Sequence, residues 1–108
     1  MPDSESMNAQ YQAARNKLQS ARNMVRPGSD EDDEIAAAMA ALDVANINRI
    51  QGNFSAGTAS LQSVTGRLKS VRASIEANPI VGVVDDIDGA LDSINALADM
   101  IDQLSAQP

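Results

Sequence analysis

The chain has 108 residues and a mass of 11.3 kDa; 44% of its residues are hydrophobic but only 2% aromatic, supplied by Tyr11 and Phe54, so it can build one modest aliphatic core and not two. It contains no cysteine and no histidine, which removes a disulfide framework, a thiolate nucleophile, the commonest metal ligand and the usual neutral-pH proton shuttle. A net charge of −7 disfavours direct contact with nucleic acid or an anionic membrane.

The start, Met-Pro-Asp-Ser-Glu-Ser, is acidic and polar, unlike a secretory signal. From there Met7, Tyr11, Ala14, Leu18, Ala21 and Val25 recur at alternating steps of four and three, one stripe of a helix over about 4–25. Arg26-Pro27-Gly28-Ser29 stops it. Ser29 can then cap a second helix, and the five carboxylates Asp30 to Glu34 suit the positive end of its dipole. Ile35, Met39 and Leu42 carry its stripe through an alanine-rich run of high helix propensity, over about 30–51.

The step from Leu42 to Ile47 is five, so the stripe changes register there. A second seam runs Ile47, Ile50, Phe54, Gly57, Leu61, Val64, Leu68, Val71 and Ile75, crossing a stretch rich in glycine, serine, asparagine and threonine that makes poor helix. Two readings follow. Either a turn at Gly52-Asn53 opens a third helix over about 54–77, or one continuous middle helix spans about 30–77 and the chain must dimerise to cover it. Gly57 and Gly66 fit close helix contacts, not a phosphate loop. Asn78 and Pro79 predict the start of a last helix over about 79–105, with Val84, Ile87, Leu91, Ile94, Ala98 and Ile101 as its seam, flanked by Val83, Leu97 and Leu104. Its most apolar run, 79–84, is far too short to span a membrane, so a cytoplasmic protein is expected, with signal-independent export left open.

The expected fold is therefore all-α: a single domain over 1–108, an antiparallel up-and-down bundle of four helices. Charge tests this independently of the apolar stripes. Residues 1–28 carry Asp3 and Glu5 against Arg15, Lys17, Arg22 and Arg26, net +2; residues 29–52 are −5, residues 53–78 are +2, and residues 79–108 are −6. In a square bundle each helix would flank two of opposite sign, which selects topology more than it stabilises.

In the last segment Asp85, Asp88, Asp92, Asn95, Asp99 and Asp102 step three and four, one position after the seam, as an acidic ridge. Asp85, Asp88, Asp92, Asp99 and Asp102 are the candidate partner-binding residues, and a solvated flank facing the arginines of the first or third helix is the plainer account. Calcium is not implied: Asp86-Ile87-Asp88-Gly89 has its glycine in the wrong place for an EF-hand loop. Neither is a dimetal site, which pairs glutamates with Glu-x-x-His. A Ser-Lys pair would need Lys17 beside Ser20, or Lys69 beside Ser70, to be desolvated. No catalytic residue, cofactor, metal or small-molecule ligand is implied, and an enzyme is not expected.

The expected function is a protein-interaction or structural module that self-associates through heptad-spaced, coiled-coil-like seams, its partner another protein or a second copy. One alternative is an acidic inhibitor or immunity-type protein whose ridge blocks the basic groove of a nucleic-acid-handling enzyme or toxin. Another is a small helical effector or chaperone of a signal-independent secretion system. In length, acidity and helicity the chain is loosely similar to the small WXG-type secreted proteins, from which it departs: it has no tryptophan, and Phe54-Ser55-Ala56-Gly57 differs from Trp-x-Gly in residue and spacing.

Overall fold

Two devices end and restart the chain where the apolar stripes change direction. At the first, Ser29 Oγ accepts from the Asp32 N–H (3.2 Å), while Asp32 itself accepts from the Gly28 N–H (2.9 Å) and Arg22 Nε (2.8 Å). At the second, Gly52 takes φ +81°, the Asn53 N–H reaches the Asn48 carbonyl (2.8 Å) and the Gly52 N–H reaches the Arg49 carbonyl (3.0 Å). This is a Schellman cap, in which a left-handed residue lets the last carbonyls of a helix find donors. It separates the second helix from the third, so the continuous middle helix over 30–77 does not form.

A computed structural model of the chain describes residues 3–76, 80 and 82–106. It contains four helices, α1 (Ser4–Met24), α2 (Asp30–Ile50), α3 (Phe54–Glu76) and α4 (Val83–Ser105), and no strand among the described residues. Helices of 21 to 23 residues are about 30–35 Å long at 1.5 Å per residue, and they assemble into a body of 47 × 19 × 18 Å. Each helix packs on its two neighbours around a square, α1 on α2, α2 on α3, α3 on α4 and α4 on α1, which leaves α1 opposite α3 and α2 opposite α4.

The expected last helix start at Asn78-Pro79 lies outside the described residues. Ile80 is not helical, and Gly82 at φ +89° immediately precedes α4, which begins at Val83. A glycine in that conformation reorients the chain more sharply than a proline in a first helical turn does.

The core is aliphatic, with Leu18, Ile35, Leu42, Leu61, Leu68, Ile75, Ile87, Ile94, Leu97 and Ile101 fully enclosed. The α1 stripe is buried except for Tyr11, which is half-buried. Two seams differ from the sequence reading. On α2 the buried face runs Ile35, Ala38, Met39, Leu42, Ala45 and Arg49, and Ile47 and Ile50 point to solvent. On α4 it runs Val83, Ile87, Ala90, Ile94, Leu97 and Ile101, with Val84, Leu91 and Ala98 at its edge. In both helices small residues turn inward, because an alanine between large side chains lets the neighbouring helix approach. Gly57 does the same from α3: a Cβ there would lie 3.4 Å from the Ala45 carbonyl oxygen, so any longer side chain would push α2 and α3 apart. Gly66 has open space around it and makes no such contact.

Charge follows the square. Among the described residues every ion pair between helices joins a base on α1 or α3 to an acid on α2 or α4: Arg15 to Asp43 (3.1 Å), Arg22 to Asp32 (2.8 Å), Arg67 to Glu34 (3.3 Å), Arg72 to Asp88 (2.7 Å) and Lys17 to Asp86 (4.0 Å). All are partly solvated, and each is worth about 0–1 kcal/mol. Their effect is on specificity, since pairing α2 with α4 would set acid against acid.

Candidate functional site

The acidic ridge of α4 divides in two. Asp88 is taken by the fold: its carboxylate accepts from Arg72 Nε (2.7 Å) and Nη2 (3.4 Å), and Arg72 holds its pKa below the usual carboxylate range. Asp85, Asp92, Asp99 and Asp102 are exposed and make no ion pair among the described residues. Because α4 rises about 1.5 Å per residue, these four carboxylates line about 25 Å of its surface. Asp86, beside the ridge, turns toward α1, where one carboxylate oxygen meets Lys17 and the other is enclosed without a partner. Among the described residues no three carboxylates are grouped so as to hold a metal ion.

The apolar surface lies on the opposite helix. Relative to the buried face of α2, the positions half a turn away are Asp33, Ala37, Ala40, Val44, Ile47 and Gln51, stepping four, three, four, three and four. Val44 is 49% exposed, Ile47 54% and Ile50, at the edge of this face, 66%. Between Glu34 and Arg49 the helix carries one charge, Asp43, and that side chain is turned aside toward α1. There it accepts from the Tyr11 hydroxyl (2.6 Å) and from Arg15 Nε (3.1 Å). Burial pushes the Asp43 pKa up, but the bonds from Arg15 and Tyr11 outweigh it and leave the group below its ordinary value. The outer face of α2 is thus an uncharged apolar strip on the solvent side of a bundle that buries its other seams.

Sequence reasoning located the ridge but missed this strip, having assigned Ile47 to a buried seam. It also missed Arg49. The step from Leu42 to Ala45 to Arg49 is three then four, the signal that continues the α2 seam, and it went unread because it ends on a charged residue. Arg49 is 5% exposed. Nucleophilic chemistry finds no support in the serine and lysine pairs: Lys17, Ser20, Lys69 and Ser70 all stand in solvent, where no lysine is desolvated into a base. No helix among the described residues is long and apolar enough to cross a membrane. Compared with known proteins, the chain matches no family model, no curated protein and no solved structure.

Proposed function

We propose that this chain is a non-enzymatic interaction module that pairs with a second copy of itself through the outer face of α2, helix against helix in a short coiled-coil-like contact. The observation that carries this reading is the uncharged strip Ala40, Val44 and Ile47, preceded by the half-buried Ala37 and continued by Ile50, left in solvent on an otherwise strongly acidic molecule. Two chains of −7 repel each other, and a face without charges is where they can approach. Five of the six acids of α2, Asp30 to Glu34, sit at its start, the sixth, Asp43, is turned toward α1, and its last turn has none. A parallel pairing would set the two acidic clusters side by side, whereas an antiparallel one sets each against the Asn48 and Gln51 end of the other helix.

Full burial of a valine or isoleucine is worth about 1.5–3 kcal/mol, so these half-exposed side chains each have about 1 kcal/mol left to gain. Light scattering behind size exclusion at high micromolar concentration tests this. The wild-type mass should rise toward that of a dimer and Ile47→Asp should remain monomeric with the same helical circular dichroism; a wild-type chain that stays monomeric refutes the reading.

A second reading is favoured by a separate observation, the four unpaired carboxylates Asp85, Asp92, Asp99 and Asp102. They would dock into a basic groove on another protein, with charge complementarity speeding the encounter. Replacing Asp92 and Asp99 by asparagine, with Asp88 left to its structural pair, should slow capture of such a partner without changing helicity. An unchanged association rate removes this reading.

A further inference from the structure

At the end of the bundle where α2 gives way to α3, a cleft of about 410 Å³ opens between all four helices, lined by Met7, Ile50, Phe54 and Leu104 together with Ser4 and Asn8. Arg49 lines it and is 95% buried. Its partners are neutral. Nε and Nη2 donate to Asn46 Oδ1 (3.0 and 2.7 Å), and Nη2 donates also to Asn8 Oδ1 (2.5 Å). These three bonds use the Nε proton and both protons of Nη2, out of the five a guanidinium offers.

Nη1 has no partner among the described residues, and Arg49 is one of the residues that line the cleft. No described carboxylate forms an ion pair with Arg49. Arg49 stands in the last turn of α2, where the negative end of the helix dipole favours a cation modestly. The first turn of α3, which brings Phe54 to the same cleft, has no acidic residue to offset its own positive end. Burying a cation beside neutral amides is costly unless an anion completes the site.

We propose that this cleft binds a small monocarboxylate with a short apolar tail, its carboxylate on Arg49 Nη1 and its chain between Met7, Ile50, Phe54 and Leu104. One positive charge and one free nitrogen suit a single negative charge, and on a chain of −7 a dianion such as phosphate is disfavoured. The apolar walls supply the preference for a tail over acetate, and the volume lies in the range of small-molecule sites. Of these walls only Ile50 also borders the α2 face, whose centre lies at Ala40, Val44 and Ile47.

The test titrates octanoate into the full chain and follows the methyl resonances of Met7, Ile50 and Leu104 and the ring of Phe54. Saturable one-to-one shifts at these residues are expected, with octanol, which has the same tail and no charge, binding at least tenfold more weakly and acetate not at all. Equal binding of octanol and octanoate, or no shift at millimolar octanoate, overturns the proposal. Arg49→Gln should abolish the discrimination between octanoate and octanol. Since that variant removes a buried anchor and can unfold, Asn8→Asp serves as the second: it sets a carboxylate against Nη2, so it should raise Tm and weaken octanoate at least tenfold. Undiminished octanoate affinity in a folded Asn8→Asp chain also refutes it.

Discussion

Replacing Gly52 by alanine separates the two architectures that the sequence permits by the sign of its effect. In the four-helix bundle Gly52 holds φ +81° at the end of α2, a conformation in which an L-residue with a Cβ costs about 1–2 kcal/mol. A Cβ there would touch nothing within 4 Å, so no clash adds to the backbone term. Alanine also restricts the unfolded chain, which returns about 0.4–1 kcal/mol. The net expectation is a loss of about 0.5–1.5 kcal/mol, or a fall in Tm of about 2–8 °C for a domain of this size. A continuous middle helix would place Gly52 in a helix interior, where alanine is better by about 1 kcal/mol, and Tm would rise. Gly66 is the control: it lies inside α3 with open space where its Cβ would be, so Gly66→Ala should stabilise by about 0.5–1 kcal/mol. Urea and thermal melts followed by circular dichroism at 222 nm read both variants. A stabilised Gly52→Ala chain would refute the Schellman cap and, with it, the four-helix topology.

Core truncation should be severe where enclosure is complete. Leu68→Ala and Ile94→Ala, on facing neighbours α3 and α4, are each expected to lose about 2–5 kcal/mol in urea melts. Arg72→Ala should lose no more than about 1 kcal/mol, and the loss should shrink in 1 M salt, because its pairs with Asp88 and Glu76 are half-exposed. Asp43 has a folded pKa below its unfolded one, so the stability it contributes is present above the unfolded value near 4 and is lost as pH falls through the lower folded value. Tyr11 has a raised pKa, caused first by burial and then by its bond to Asp43, so its contribution is present below its ordinary value near 10 and is lost as pH rises through the folded one. Asp43→Asn should therefore flatten part of the acid limb of a Tm-against-pH profile, and Tyr11→Phe part of the alkaline limb.

The legible parts of this fold are those where one residue type carries one signal. The α1 stripe is legible because most of its members have polar neighbours on both sides, and the α2 start because serine followed by five acids has few other uses. Reading failed where buried positions are small or charged. Ala38, Ala45 and Arg49 form the real α2 seam, but alanine occurs on every face of that helix, and an arginine counts as solvent-facing until something is found to hold it. Ile47 and Ile50, which are larger, carry the stronger apolar signal although both are exposed. The ridge on α4 was visible as spacing, yet its division into one structural carboxylate and four free ones depends on how Arg72 is rotated on α3, which no spacing within α4 encodes. Gly82 was outweighed by the more familiar signal of a proline three residues earlier.

The two surfaces are compatible because of the same alternation that fixes the topology. Acidic α2 and acidic α4 lie opposite each other across the square, so a dimer joined along α2 carries its two α4 ridges on its far sides. Each bundle is 18 to 19 Å across, and the ridges would be separated by both bundles, several times the screening length of about 8 Å at physiological salt. Their mutual repulsion would then contribute little, and each ridge would remain open to a basic partner. Joining the chains along α4 would instead press Asp85, Asp92 and Asp99 against their counterparts within one screening length, with no base on that helix to relieve them. Adding salt should therefore strengthen an α2-mediated dimer only modestly and an α4-mediated one markedly. Sedimentation equilibrium at 0.05 and 0.5 M salt distinguishes the two, and a dimer that tightens tenfold or more at the higher salt would place the contact on the wrong helix.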